Sequence, residues 1–513
     1  MRNVLLIILD TLRRDRLSAY GHTRETSPAF DAFTADAALF ERAVATSQWT
    51  IPSHSSMFTG LYPSSHHVTQ SNARLSLSQP VLAEILRDAG YHTIAFCNNP
   101  LVGVLDNGLQ RGFEHFYNYA SAIPSRPNDH RKPWLRREFS RRFRPYARRM
   151  GNKFANSDSM FRLALNPMFV PIWTRYINFK GHTANSVGDL IDYWQTHQAG
   201  GAQRPLFAFL NLMGAHLPYQ PPQNMLDKVA PGVPNDRHAY QFMRRFNADG
   251  AAWASPPEPP LTDWQHQALL DFYDAEIAAQ DEQLGRLLDD LRLSGALANT
   301  TVIIAADHGE GHGEHNLFGH GFNVHQELVH VLLAIHDSER FPRGGHISAN
   351  LSTRRLFHTI LDIAGVKPPL PEDDPNANVS ALSLTNAIAN EGDIEGDMTF
   401  SEAYPPLTFV HVLEHRNPSV IERMRLREVR RSIYDGDYKL MICGEKVEAL
   451  YNVADDPAET RNLIANEPTR LAEMQRKLAD FVQQFDTAPT PEPAAIDDDE
   501  QVLEHLRALG YIE

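Results

Sequence analysis

The chain has 513 residues, more than the roughly 250–300 that one hydrophobic core usually serves, so a large domain with a smaller companion is expected. With 42% hydrophobic and 22% charged residues it has the composition of an ordinary globular protein, which excludes wholesale disorder and collagen-like repeats. A formal net charge of −15 argues against a general nucleic-acid partner.

The first apolar run, Val4 to Leu9, has six residues, where a bilayer-spanning helix needs about 20. A single Arg precedes it, and neither a longer apolar region nor a small-residue cleavage site follows. No membrane span and no export signal are therefore expected. Cys97 and Cys443 are the only cysteines, too few for a disulfide framework, which points to a reducing, cytoplasmic setting.

Further along, Trp49-Thr50-Ile51-Pro52-Ser53-His54 reads as a turn entering a helix, with Thr50 near the N-cap and Pro52 in the first turn. Thr50 has two readings at this point. It is a capping hydroxyl, or a nucleophile ionised by a metal whose target anion is held by the free N–H groups of the helix. The segment by itself does not choose.

A helix is expected after Pro80, through Val81, Leu82, Ile85 and Leu86, stopping at Gly90 and leading into a strand from Tyr91 to Phe96. Between Arg126 and Lys153 lie eleven Lys and Arg against two acidic residues. Leu135, Phe139, Phe143 and Met150 fall near one helical face there, although Pro145 interrupts it. This stretch is a solvated insertion or a docking surface for an anionic polymer or headgroup. Leu206 to Leu210 then forms a strand-like run that leads to His216, and a long helix from Trp264 to Leu293 precedes a run from Thr301 to Ala306, ended by Asp307-His308.

Short β-rich runs alternating with helical periodicity define an α/β sheet covered on both faces. Ligands of such sheets bind beyond the carboxyl ends of the strands. Asp10, His216 and Asp307-His308 all fall at such ends, and a shared site is expected there.

The motifs Asn3 to Leu12, Thr50-Ile51-Pro52-Ser53-His54 with Thr59-Gly60-Leu61-Tyr62-Pro63, Asp307-His308-Gly309-Glu310 and Gly319-His320-Gly321 resemble the sulfatase branch of the alkaline phosphatase superfamily. So do Tyr434 to Leu440, Leu450-Tyr451-Asn452 and Asp456 to Leu463. The resemblance implies a catalytic α/β domain over residues 1–385, built on a large central, mixed but mostly parallel sheet. It implies a smaller C-terminal α+β domain over 395–485, carrying Ile433 to Ile442 and a helix from Pro468 to Phe485. Residues 121–180 match no family motif and are expected to shape the substrate entrance. Residues 486–513 read as a Pro-rich linker and a terminal helix.

Two departures from the sulfatase pattern bear on chemistry. Sulfatases carry Cys or Ser, matured to formylglycine, where this chain has Thr50, and Arg where it has His54. Oxidation of Thr would give a ketone rather than an aldehyde, so the hydrated-aldehyde cycle is not expected. A Thr at this place resembles lipoteichoic acid synthases and phosphoethanolamine transferases. Asp10-Thr11 and Asp307-His308 resemble the metal set of phosphonate monoester hydrolases, which implies one divalent ion held by Asp10, Thr50, Asp307 and His308. Mixed carboxylate and imidazole donors favour Mn, Zn or Fe, with Mg or Ca possible. Two-metal relatives place an Asp where this chain has Leu212, so one ion is expected.

The resemblance also puts His216 and His320 at substrate-binding and catalytic positions, as acid and charge stabiliser. Asn72 matches a substrate-contacting Asn or makes an Asx-turn. His312, His315, His325 and His330 are expected to be structural or lid residues, and Glu310 and His54 stay open. The expected activity is hydrolysis of phosphoric or phosphonic esters through a covalent Thr50 intermediate. The alternatives are a formylglycine-free sulfuric ester hydrolase, a phosphoryl transferase, and a catalytically silent anion-binding protein. An anionic ester is the expected substrate, and no oligomeric state is implied.

Overall fold

The computed structural model describes residues 1–120, 124–127, 143, 157, 166, 168–171, 179–200, 204–233, 236–256, 259–372, 374–389 and 394–485. Of the basic residues between 126 and 153, Arg126 is described; its guanidinium pairs with Asp189 at 2.7 Å. The rest of that segment, the linker and the terminal helix lie outside the described residues. Among the described residues no helix is long and apolar enough to cross a membrane.

The large sheet is built from β1 (Asn3–Leu9), β2 (Ala38–Val44), β3 (His92–Cys97), β4 (His115–Asn118), β5 (Leu206–Leu212), β6 (Thr300–Ala305), β7 (Leu333–His336) and β8 (His346–Ser352). Its order is β8-β2-β7-β6-β1-β5-β3-β4, with His330–Val331 pairing to β2 off this path. β1 runs parallel to both neighbours, with Leu9 opposite Leu212 and Ile8 opposite Ala305. β7 is antiparallel to β6 and β2, so the sheet is mixed but mostly parallel, as expected. Continuous apolar strands such as Val4 to Ile8, fully buried, are what a sheet covered on both faces requires.

The order of the strands assembles the site. β6, β1, β5 and β3 are consecutive neighbours, so residues that follow them in sequence meet at one edge. Asp307, Asp10 and Asn99 lie just past β6, β1 and β3, and Asn211 is the only polar side chain of β5.

Helix α1 (Thr50–Thr59) points its first turn at that edge. Trp49 is extended and Gly60, in the left-handed conformation at φ 74°, closes the helix. Thr50 is thus the first helical residue, and its hydroxyl makes no capping bond. Helix α2 (Leu82–Asp88) precedes β3. The long helix α3 (Asp263–Leu293) begins with a capping box between Thr262 and Gln265. One of its faces, at the spacing i, i+3, i+7, holds the loops around the site. Tyr273 bonds the turn after β1, Glu276 accepts from Lys180 and from the Gln220 N–H, and Gln280 accepts from the Gly214 N–H.

The C-terminal part is an antiparallel sheet ordered β9 (Met398–Ala403), β10 (Arg430–Asp435), β11 (Tyr438–Cys443), β12 (Lys446–Asn452). Helix α4 (Pro468–Phe485) covers it. Met474, Leu478 and Phe481 pack with Ile433, Leu440, Leu450 and Tyr62. β9 also bonds the segment that launches α1. The Glu402 N–H donates to Thr46 O at 2.9 Å, and Ser47 Oγ donates to Glu402 O at 2.8 Å.

Candidate active site

Asp10, Asp307 and His308 are fully buried, and one ligand atom from each lies within 4.8 Å of the others. Burial raises the Asp10 carboxyl to about 6, against the hydrogen bond from Asn99, and burial together with the Asp10 charge raises Asp307. Asp10 Oδ1 and Asp307 Oδ2 have no hydrogen-bond partner among the described residues. Two buried, facing carboxylates with orphaned oxygens are costly by themselves and are what a cation would satisfy. His308 fits the same purpose. Its Nδ1–H donates to Gly309 O at 2.9 Å, leaving the Nε2 lone pair free to ligate. The residues present therefore fit a divalent metal.

Thr50 Oγ1 stands 3.3 Å from His308 Nε2 and 3.4 Å from Asn99 Nδ2. The four residues expected from sequence to hold the metal thus converge. His54, left open by the sequence, lies behind them: its Nδ1–H donates to Thr50 O at 2.9 Å and faces Asp307 Oδ2 at 3.4 Å. Burial lowers its pKa to about 4, so it is a neutral ring bracing the first turn of α1.

His216 lies in the loop four residues beyond the end of β5, not at the strand terminus. Its ring centroid is 5.2 Å from that of His320, which in turn is 4.6 Å from that of His308. The pKa values of the two outer histidines are shifted in opposite directions. Burial, then the neighbouring His320 charge, lowers His216 to about 3, and its Nδ1–H is spent on Leu217 O. Burial also opposes a charge on His320, but Glu310 outweighs it and holds the His320 pKa above its ordinary value. His320 Nδ1–H donates to Glu310 Oε1 at 2.9 Å, which leaves Nε2 as the ring's other proton-bearing atom.

Asn72 is exposed on a turn, and among the described residues no hydrogen bond joins it to the cluster. The amide at the site is Asn99 instead, whose Nδ2 donates to Asp10 Oδ2 at 2.5 Å. The signal for Asn99 was present: Asn98-Asn99 ends a β-rich run in the same way as Asp10 and Asp307. Asn211 Nδ2 reaches Asp10 Oδ2 and His54 Nε2, each at 3.4 Å.

The remaining histidines do structural work. His312 Nδ1 accepts from Arg13 and its Nε2–H donates to Tyr219 Oη at 2.9 Å. His330 Nε2–H donates to Glu41 O at 2.8 Å. His315, His325 and Glu459 form a second cluster with ligand-like spacing. Their geometry opposes a metal, because the two rings stack at 3.5 Å with planes 3° apart, and one ion cannot lie in both planes. The cation there is already Lys439, whose Nζ is 2.6 Å from Glu459 Oε1.

A mostly parallel sheet whose strand ends meet at a buried carboxylate–imidazole cluster, beside a hydroxyl on a helix N-terminus, defines a hydrolase of the alkaline phosphatase superfamily. Residues 2–366 match the profile of the Sulfatase family, and the chain belongs to that family. The crystal structure of the phosphonate monoester hydrolase of Agrobacterium radiobacter is similar, with a TM-score of 0.64 and 22% identity, covering 94% of this chain and 95% of that one. The uncharacterised sulfatase YidJ of Escherichia coli is 22% identical over 497 residues, 94% of this chain and 86% of its own length. An N-acetylglucosamine-6-O-sulfatase of Bacteroides thetaiotaomicron is 26% identical over 226 residues, 44% of this chain and 37% of that protein.

Proposed function

We propose that the chain is a metal-dependent hydrolase of phosphoric or phosphonic esters that works through a covalent Thr50 intermediate. The observation that carries this reading is the Thr50 hydroxyl itself. It lies against His308 at 3.3 Å, unspent on capping, at the helix position where a sulfatase needs an oxidisable Cys or Ser. Asp10, Asp307, His308 and Thr50 would hold one divalent ion, with Mn, Zn or Fe favoured by the mixed donors. When bound, that ion supplies positive charge that favours the alkoxide of Thr50 and neutralises the ester's oxygens.

The side chains carry the remaining steps. Thr50 Oγ attacks phosphorus, and the bond from phosphorus to the leaving oxygen breaks with its electron pair. His320, kept protonated by Glu310, gives its Nε2 proton to that oxygen. Water then attacks phospho-Thr50 and loses a proton to the now neutral His320, and the P–Oγ bond breaks with its electron pair on Thr50 Oγ, returning the alkoxide that made the first attack. Asn99 orients the Asp10 carboxylate beside the nucleophile. His216, neutral and with its N–H committed to Leu217, presents a lone pair that suits a substrate hydroxyl or a protonated phosphoryl oxygen rather than proton donation.

A second reading, sulfuric ester hydrolysis, is favoured by the sulfatases among the relatives and requires Thr50 to work without an aldehyde. Matched nitrophenyl phosphate monoester, phosphate diester, phosphonate ester and sulfate ester decide between them, assayed with Mn-loaded wild type and Thr50→Ala. Turnover of a phosphorus ester that vanishes in the variant is expected. Preferential, Thr50-dependent sulfate turnover would overturn the phosphorus-ester reading.

A further inference from the structure

The turn that follows Asp10 is strained and clamped. Thr11 takes φ 56°, in the left-handed region that costs a β-branched residue of order 1–2 kcal/mol. That conformation lets one short turn serve both carboxylates. The Thr11 N–H donates to Asp307 Oδ1 at 3.3 Å, and Thr11 Oγ1 donates to Asp10 O at 2.7 Å. Two residues of α3's site-facing helical stripe face loops, but Tyr273 faces this turn. Its hydroxyl donates to Thr11 O at 2.7 Å and accepts from the Arg13 N–H at 2.9 Å. Both capacities of one phenol are therefore used on this turn, at Thr11 O and at the Arg13 N–H, on the two sides of Leu12.

We infer that Tyr273 is a positioning residue for the metal site, its hydroxyl holding the Thr11 turn in the conformation that aims Asp10 and Asp307 at one ion. The inference rests on the metal reading above and adds a residue that touches neither substrate nor metal. Several features make the clamp specific. Tyr273 is fully buried, and burial raises its phenol pKa well above the ordinary value, so it stays a donor. Its ring packs edge-on to His312 with centroids 4.5 Å apart and against Tyr219 at 5.3 Å. Those contacts fix where the hydroxyl lies and would survive its removal. Partners that orient metal ligands typically change metal affinity by about 10–100-fold when lost.

The test is Mn²⁺ binding by isothermal titration calorimetry to metal-stripped protein, with steady-state kinetics alongside. Asp10→Asn, Tyr273→Phe and Tyr219→Phe are compared with wild type, and each fold is checked by its melting curve. Tyr273→Phe is expected to weaken Mn²⁺ by about 10–100-fold and to lower kcat at limiting metal, with kcat recovering at saturating Mn²⁺. Tyr219→Phe removes a buried hydroxyl from the same neighbourhood without touching the turn, and is expected to bind Mn²⁺ as wild type does. Wild-type affinity in Tyr273→Phe, with binding lost in Asp10→Asn, would overturn this inference alone. Binding unchanged in Asp10→Asn would overturn the metal reading and this inference with it. If Tyr273→Phe fails to fold, p-aminophenylalanine at 273, which keeps a donor and an acceptor, is measured instead; wild-type affinity there supports the clamp, and a loss equal to that of Asp10→Asn overturns it.

Discussion

Glu310 Oε1 lies 2.9 Å from His320 Nδ1, and the carboxylate is fully buried while the imidazole is partly open to the site. This pairing raises the pKa of the outer histidine and leaves its opposite nitrogen for the acid role proposed above. Glu310 itself sits three residues past Asp307, so one loop carries both Asp307-His308 and the partner of His320.

That arrangement predicts a dependence on the leaving group. Glu310→Gln removes the charge that keeps His320 protonated, and is expected to slow alkyl ester cleavage by about 10²–10⁴-fold. Nitrophenyl esters, whose leaving group needs little protonation, should lose far less. A plot of log kcat against leaving-group pKa should be steeper for the variant, and equal slopes would remove His320 as the acid.

Metal removal is expected to cost stability, because Asp10 and Asp307 then face each other uncompensated. At a hundredfold excess of Mn²⁺ over its Kd, linkage supplies about 2.7 kcal/mol, read as a rise in Tm over the chelated protein. Asp307→Asn should melt higher than wild type in chelator and gain little from Mn²⁺. A variant that melts lower than wild type in chelator would contradict the repulsion.

The Arg13–Glu314 pair sets part of the acid stability. Burial pushes Glu314 up, but Arg13 at 2.6 Å outweighs it and lowers the carboxyl from 4.5 to about 2. A folded pKa below the unfolded one means stability that is full above pH 4.5 and is lost as pH falls towards 2. The contribution is about 1–3 kcal/mol after allowance for partial exposure. Glu314→Gln should therefore flatten the denaturation curve between those pH values, with the smallest difference from wild type at the acid end.

Lys439 should be the more damaging deletion in the C-terminal sheet. Its ammonium is fully buried against Glu459 at 2.6 Å and donates to Val324 O at 2.5 Å. Lys439→Met removes the ammonium from a buried carboxylate that keeps the His325 ring and the Gln326 N–H, which costs about 3–5 kcal/mol. Urea melts of Lys439→Met, Glu459→Gln and the double variant measure it, and the double variant is expected to recover part of the loss.

Gly309 tests how closely the ligand loop is packed. A Cβ there would lie 2.0 Å from Glu327 O, a backbone atom that cannot move aside freely. Gly309→Ala is expected to displace His308 and to weaken Mn²⁺ binding in the same titration.

The sequence was most legible where chemistry follows an apolar run. Asp10 and Asp307-His308 follow strands that each have six buried residues, and Thr50 precedes Pro52 in a readable helix start. Asn72 stayed between two readings because a turn Asn looks the same whether it faces a ligand or solvent, and only the strand order puts Asn99 beside Asp10. His54 and Glu310 could not be assigned because their roles depend on which residue lies across the site, a long-range fact. Tyr273 was invisible for the same reason: within a 31-residue helix, its periodicity is that of any core aromatic.

The bonds from β9 to residues 46 and 47 have a consequence for biosynthesis. Thr50 is made well before the strand that steadies its launching segment, which ends at Ala403. At about 5–20 residues per second, the ribosome needs of order half a minute between the two. Throughout that interval the emerging chain lacks the strand that bonds residues 46 and 47, so the segment launching α1 gains these bonds only late, with the closing of the C-terminal sheet.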